Sequence, residues 1–223
     1  MRITRRSFLA AAPALTIASS GLPAAASAHA VPVGLPSPAE LASGIHVLVS
    51  ATGAGKTTLS ARMIGEYAAA FPGRPVRTLG YVREYGAPSG WSVMPTSATA
   101  SDYRRAIESA RDAGARLIVL DNPSPVLDPE FGAGVMSAAA CGCGVLVQTP
   151  HTDPFTPIFD LARWWGEVPV ALSTVTALTL SGGSRTSRTV RLDKDIRRLV
   201  AQGRGADAHA LWEARQASGP HPV

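Results

Sequence analysis

Lysine is nearly missing from this chain. Two of its 21 basic residues are lysine, Lys56 and Lys194, and the other 19 are arginine. Cysteine is as scarce. Cys141 and Cys143 flank Gly142, too close for an easy disulfide and without the second ligand pair of a zinc site, so both are expected as small core or helix-end residues. Acids are absent from residues 1–28, where Arg2, Arg5 and Arg6 supply three of the net +5 charges and leave +2 on the remainder. No arginine-rich run with interleaved aromatics appears, so direct nucleic-acid binding is not expected. The apolar stretch from Leu9 to Ala18 is too short and too weakly hydrophobic for a membrane span.

What is present suffices for one folded body. A length of 223 residues with 46% hydrophobic content predicts one compact domain with a small appendage. The appendage is residues 1–30. Thr4-Arg5-Arg6-Ser7-Phe8-Leu9 has a twin-arginine pattern, an alanine-rich stretch follows, and Ala26-Ser27-Ala28 is a small-residue cleavage site. This reads as an export signal; the bland alternatives are a leader that no export machine reads and a start codon placed too far upstream.

The rest alternates strands with helices. A proline-bearing approach, Val31 to Ser43, ends in a turn of helix around Ala39–Leu41, before a strand at Ile45–Val49. A helix over about 56–70 carries Leu59, Met63, Ile64, Tyr67 and Phe71 on one side and stops at Pro72-Gly73. Next come a strand from Val76 to Val82, a short edge strand at Trp91–Met94, and a helix capped by Ser101 that ends at Gly114. Leu117–Leu120 is an all-apolar run, as in a strand buried on both faces. A helix from Glu130 to about Cys141, a strand at Gly144–Thr149 and a helical stretch from Phe155 to Trp165 continue the pattern. Val170–Leu180 and Arg188–Leu192 alternate as a hairpin about Gly182-Gly183, and one or two short helices split at Gly203-Arg204-Gly205 close the chain. The expected fold is α/β, a mostly parallel sheet flanked by helices with a C-terminal hairpin and short helices. The expected organisation is a leader at 1–30, a main domain at 31–192 and a helical tail at 193–223.

The segment Ser50-Ala51-Thr52-Gly53-Ala54-Gly55-Lys56-Thr57-Thr58 lies between the first strand and the first long helix. Strand, glycine-bearing loop ending in Gly-Lys-Thr, helix is the order of a phosphate-binding loop. Small residues let backbone N–H groups turn in on phosphate oxygens, and the helix aims its positive end at the same anion. Lys56 is then the ligand of the β- and γ-phosphates and Thr57 of Mg²⁺. Keeping lysine here, in a chain that otherwise uses arginine, argues against a chance turn. The one departure from the loop pattern is Ser50, where glycine is usual.

Asp121 ends the run Leu117–Leu120, where phosphate-loop proteins place their second Mg²⁺ anchor; the alternative is an ordinary turn acid beside Asn122-Pro123. In many such ATPases a catalytic carboxylate follows that anchor, and here the position holds Asn122. An amide takes no proton, and losing a catalytic base typically removes about 10²–10⁴ in rate. His151 follows the strand that ends at Thr149, so His151, Thr149 and Thr152 are candidates to sense a γ-phosphate; the alternative for His151 is a surface turn.

From about Leu35 to Arg215 the chain resembles the ATPase domain of the PilT/GspE group, the motor ATPases of type IV pili and of type II and type IV secretion, with plasmid-transfer relatives. The likeness rests on Leu35-Pro36-x-Pro38 through Gly44-Ile45-x-Val47-Leu48-Val49-x-x-Thr52-Gly53-Ala54-Gly55-Lys56-Thr57-Thr58-Leu59. It continues in Ala139-Ala140 with Leu146-Val147-x-Thr149-Pro150-His151-Thr152, like the family's His box, and in Asp195–Arg204, like its "IRxLIxxGK" segment.

The resemblance implies a RecA-like P-loop core, ATP and Mg²⁺ as cofactors, and Lys56, Asp121 and His151 as the catalytic set. It implies as partners further copies of itself in a hexameric ring or a related ATPase subunit, together with inner-membrane secretion or pilus platform proteins. The implied location is cytoplasmic or peripheral at the inner membrane, against export through the twin-arginine signal. This chain departs from the family at Ser50, at the acidic box where only Glu84 is acidic, at Asn122, and at Cys141, where the family has Glu. The first strand opens at residue 45, so the family's N-terminal domain, with its ring contacts and arginines, is expected to be absent. Two alternatives stand beside a weakly hydrolysing motor: a non-catalytic regulatory paralogue, and an exported protein with a vestigial loop.

Overall fold

A computed structural model of the protein describes residues 34–51, 53–80, 91–150, 171–181 and 184–217. Thr52, the Arg83–Pro88 loop, the Phe155–Trp165 stretch, the Gly182-Gly183 turn, the leader and His151 lie outside the described residues. All the described residues belong to one compact unit, Pro32–Val223.

The elements in chain order are α1 (Pro38–Leu41), β1 (Gly44–Val49), α2 (Lys56–Ala70), β2 (Val76–Gly80), β3 (Trp91–Val93), α3 (Ala100–Asp112), β4 (Leu117–Asp121), α4 (Pro129–Ala140), β5 (Gly144–Thr149), β6 (Leu172–Ser181), β7 (Ser184–Arg191), α5 (Lys194–Ala201) and α6 (Gly205–Ala217). Among the described residues one seven-stranded sheet runs in the order β3-β2-β4-β5-β1-β6-β7. Every pairing is parallel except β6 with β7. This is the mostly parallel, helix-flanked sheet that the alternation of elements predicts.

Period-two alternation divides the strand side chains between two layers. Val145 and Val147 of β5 and Ile118 and Leu120 of β4 face a core closed by Tyr103 and Ile107 of α3, Phe131 and Val135 of α4, Ile196 and Leu199 of α5, and Ala208 and Trp212 of α6. Leu117, Val119 and Leu146 face the other side, against Leu41 of α1 and Met63 and Tyr67 of α2. Leu59, Ile64 and Phe71 pack half-buried on the edge of that second layer. The two C-terminal helices thus bury their apolar faces in the same core as the sheet.

Local chemistry sets the helix ends. Thr99, not Ser101, caps α3. Its hydroxyl accepts from the Asp102 amide while the Asp102 carboxylate accepts from the Thr99 amide, a reciprocal box in which the cap is worth about 1 kcal/mol. Asp128 caps α4 in front of Pro129. Gly144 opens β5 because nothing larger fits: a Cβ there would lie 1.8 Å from the Leu41 carbonyl oxygen. The hairpin is longer than its alternation suggests. β7 pairs with β6 from Ser181–Ser184 through Thr174–Arg191, because ladder bonds are made by the backbone and polar side chains on the edge strand are no bar to them. β2 is described as far as Gly80, short of Val82. Cys143 is a buried core residue whose thiol donates to the Ala115 carbonyl at 3.2 Å, and Cys141 is exposed at the end of α4; both are free.

Candidate functional site

β1 delivers the chain to the loop. It lies between β5 and β6, with Val49 registered on Thr149 and on Ala177, so Ser50 emerges at the carboxyl end of the sheet's central strands. Ser50 is buried and its amide donates to the Thr149 carbonyl at 3.4 Å. Serine meets no backbone obstacle here: among the described residues Asn122 is the one non-glycine with a positive φ. The conformations that require glycine fall at Gly53 and Gly55, with φ of 82° and 91°.

Gly55 is the N-cap of α2, and no side chain caps that end. An α-helix leaves its first four N–H groups without intrahelical partners, and they carry the positive end of the helix dipole. The first residue of α2 is Lys56, which is 5% exposed. Its ammonium turns back over the loop and donates to the Ser50 carbonyl at 2.7 Å and the Ala51 carbonyl at 3.4 Å. Burial pushes the Lys56 pKa below the ordinary lysine range, and the negative charge of Asp121 pushes it back up.

Asp121 is the last residue of β4, 4% exposed, and continues the row of Leu117 and Val119 that faces α2. Lys56 and Asp121 therefore occupy the same face of the sheet. On the β2 side Asp121 is registered on Gly80, which has no side chain. Asn122 turns the chain away with φ 45°, a conformation that asparagine tolerates better than most residues, and its side-chain amide donates to Asp121 Oδ1 at 3.2 Å.

Of the remaining loop residues, Ala54 is buried, Thr57 half-buried, and Ala51, Gly53 and Thr58 exposed. Thr149 alternates with Gln148, so its side chain shares the face of Val145 and Val147, opposite to Asp121. Its hydroxyl is buried with no partner among the described residues.

Two residues on the α2 face are not singled out by any sequence motif. Gln148 interrupts the apolar row of β5 and is 1% exposed; its amide donates to Ser60 Oγ at 3.0 Å. Ser60, 2% exposed on α2, donates in turn to the Thr57 carbonyl at 3.0 Å. The signal available in the sequence is one amide directly after the apolar Gly144–Val147 run, still inside the strand. Among the described residues no group of three or more His, Cys, Asp or Glu side chains is placed to hold a metal ion, so a cation here would draw on one carboxylate, a hydroxyl and oxygens from elsewhere.

These residues fit a magnesium-bound nucleoside polyphosphate. A buried ammonium hydrogen-bonded to loop carbonyls, an uncapped helix start and a buried carboxylate on the same face are the donors and the acid that such an anion and its cation require.

No family model matches the chain, and no curated protein matches it. Solved structures do. The ATPase DotB of Legionella pneumophila aligns with a TM-score of 0.53 at 16% identity, over 79% of this chain and 54% of that one. The pilus retraction motor PilT with bound ADP aligns with a TM-score of 0.56 at 16% identity, over 81% of this chain and 60% of that one. At this identity the likeness establishes the fold alone, a mostly parallel sheet flanked by helices that this chain shares with these two ATPases. The chain spans little more than half the length of either neighbour. Among the described residues no helix is long and apolar enough to cross a membrane.

Proposed function

We propose that this chain binds ATP with Mg²⁺ and serves a secretion, pilus or conjugation apparatus as a slowly hydrolysing motor-type subunit. The observation that carries the reading is Lys56: a buried ammonium at the start of an uncapped helix, held over its own loop and opposed by Asp121 across the same face. In this reading Lys56 and the amides of residues 50–58 hold the phosphates, while Thr57 and Asp121 hold the cation. Bound MgATP would supply a phosphoryl group open to attack by water. His151, in the position like the family's His box, would sense the terminal phosphate.

The residue that would orient the attacking water is the weak part of the site. Asn122 carries a neutral amide whose nitrogen donates to Asp121, and an amide supplies neither a base nor a negative charge. Tight binding with slow turnover is the expected combination. The same observation supports the second reading, a non-catalytic subunit that binds nucleotide and regulates a related ATPase.

Titration of the purified chain with ATP in the presence of Mg²⁺, with phosphate release followed on the same sample, tests both. Binding with slow release supports the motor-type reading. Binding without release, together with co-purification with an active ATPase, supports the regulatory one. Absence of binding removes both.

A further inference from the structure

The buried polar side chains of the described residues are mostly matched. His46 meets Thr174 and Ser43, Thr176 meets Thr189, and Lys56 meets the loop. Three buried side-chain atoms have no hydrogen-bond partner among the described residues: the Tyr67 hydroxyl, Thr149 Oγ1 and Gln148 Oε1. An unmet buried polar atom is costly, so each asks for an explanation. Tyr67 belongs to the apolar layer under α1 and α2, three turns along α2 from Lys56. Thr149 points to the opposite face. Tyr67 shares the layer between the sheet and α2 but lies far along the helix, so Gln148 is the one of the three on that face at the strand ends that carry Asp121.

Its surroundings are specific. On β1 it is registered on Leu48; on β4 the register ends at the pair Leu120–Val147, and the next residue of each strand, Asp121 and Gln148, falls on the α2 face by alternation. Adjacent strands lie about 4.8 Å apart, so neighbouring side chains on one face are within reach of each other. α2 covers Gln148 through Ser60, and Ser60 is bonded to the Thr57 carbonyl. Rotating the amide by half a turn would exchange its two ends, yet one end would still be buried without a partner. An apolar residue would fill this place as Leu146 does without that cost.

We propose that Gln148 is a positioning residue of the nucleotide site. One end of its amide, through Ser60, ties the turn that bears Thr57 to the central strand β5. The other end is kept for a group present only when the site is loaded, a water held by the cation of Asp121 and Thr57. Such a water has hydrogens to give to an amide oxygen, and partners of this kind commonly tune metal affinity. The proposal rests on the nucleotide reading above and adds a residue that no loop motif contains.

The test compares affinity for a non-hydrolysable ATP analogue with Mg²⁺ and with EDTA, on the full chain, in the wild type, Gln148→Leu, Gln148→Glu, Ser60→Ala and Lys56→Ala, alongside apo thermal midpoints. The Mg²⁺-dependent gain in affinity should fall about tenfold in Gln148→Leu and drop in Ser60→Ala. It should persist in Gln148→Glu, which keeps an acceptor, while affinity in EDTA stays near wild type in all three. An unchanged Mg²⁺-dependent gain in Gln148→Leu overturns the proposal. So does an equal loss with and without Mg²⁺ accompanied by a lower apo midpoint, because that is the behaviour of a packing residue. If Gln148→Leu does not fold, Ser60→Ala decides in the same way. These failures leave the nucleotide reading standing; a wild type that binds no analogue, or a Lys56→Ala variant that binds as well as wild type, overturns that reading and the proposal with it.

Discussion

Lys56 donates to the carbonyl of Ser50, the first residue of its own loop, at 2.7 Å. The ammonium thus closes the loop on itself from inside the protein, 5% exposed, where a mobile surface lysine would face water. Arginine would not substitute, since its planar fork is wider than the compact ammonium that fits over two successive carbonyls. Lys56→Ala should lower nucleotide affinity by about 100-fold or more, the scale of losing a charge-assisted contact of roughly 3 kcal/mol. Titration with a fluorescent ATP analogue reads this directly, and affinity equal to wild type would remove Lys56 from the site.

Asn122 invites the opposite experiment. Asn122→Glu places a carboxylate where the family resemblance expects the catalytic acid. If the rest of the site is competent, phosphate release should rise by about 10²-fold or more. The change has a structural cost, because the position holds φ 45° and a glutamate there loses the tolerance asparagine has, about 1 kcal/mol in urea denaturation. A wild type that already releases phosphate at the rate of an active motor would show that Asn122 is no handicap.

His46 predicts a dependence of stability on pH. It is fully buried on β1, with Nε2 donating to the Ser43 carbonyl at 3.0 Å and Nδ1 accepting from the Thr174 hydroxyl at 2.8 Å. Burial, the largest influence, lowers its pKa from the ordinary 6.5, although the neighbouring carbonyls and Glu40 act the other way. The unfolded chain therefore takes up the proton first. The folded state is unpenalised above pH 6.5 and loses stability as pH falls from there toward the lowered value, by at most about 1.4 kcal/mol per pH unit. His46→Gln should flatten this slope in urea midpoints measured between neutral and mildly acid pH. An equally steep slope in the variant would assign the effect to other groups.

Gly144→Ala should be poorly tolerated. The added Cβ would meet the Leu41 carbonyl oxygen at 1.8 Å, and a backbone atom cannot swing aside as a side chain can. The loss should reach about 3 kcal/mol or more, with α1 displaced from the end of β5. Gly142→Ala is the control: its surroundings are open and only its φ of 80° resists, so its loss should be smaller. Thermal midpoints of the two variants, compared side by side, check the order.

Much of this protein was legible in one dimension. The mostly apolar runs of β1, β4 and β5, each bounded by glycine, proline or a polar turn, specify strands because a strand buried on both faces reads as a near-continuous apolar run. The Gly-Lys-Thr junction specifies where the loop meets α2, since only glycine accepts the left-handed backbone at residues 53 and 55. Those are local constraints, and local constraints are written in neighbouring residues. The cap of α3 lies two residues before the Ser101 that the sequence suggests, for a related reason: Thr99, Ser101 and Asp102 are all of capping type, and only the reciprocal bonds of Thr99 and Asp102 choose among them.

What the chain could not state locally is which side chains share a face. Asp121, Gln148 and the pair Lys56 and Ser60 lie in three separate elements, β4, β5 and α2. They converge because the strand order sets β5 between β1 and β4, and because α2 crosses the face to which alternate residues of each strand point. The same alternation turns Thr149 away from Asp121 although it neighbours Gln148 in sequence. By itself, then, the sequence determined the strands, the helices, the loop and its lysine. Only the tertiary structure decided that a glutamine from β5 shares a face with Asp121 at the end of the neighbouring strand, with one polar end unmet, because register and strand order arise from long-range pairing that no local spacing encodes.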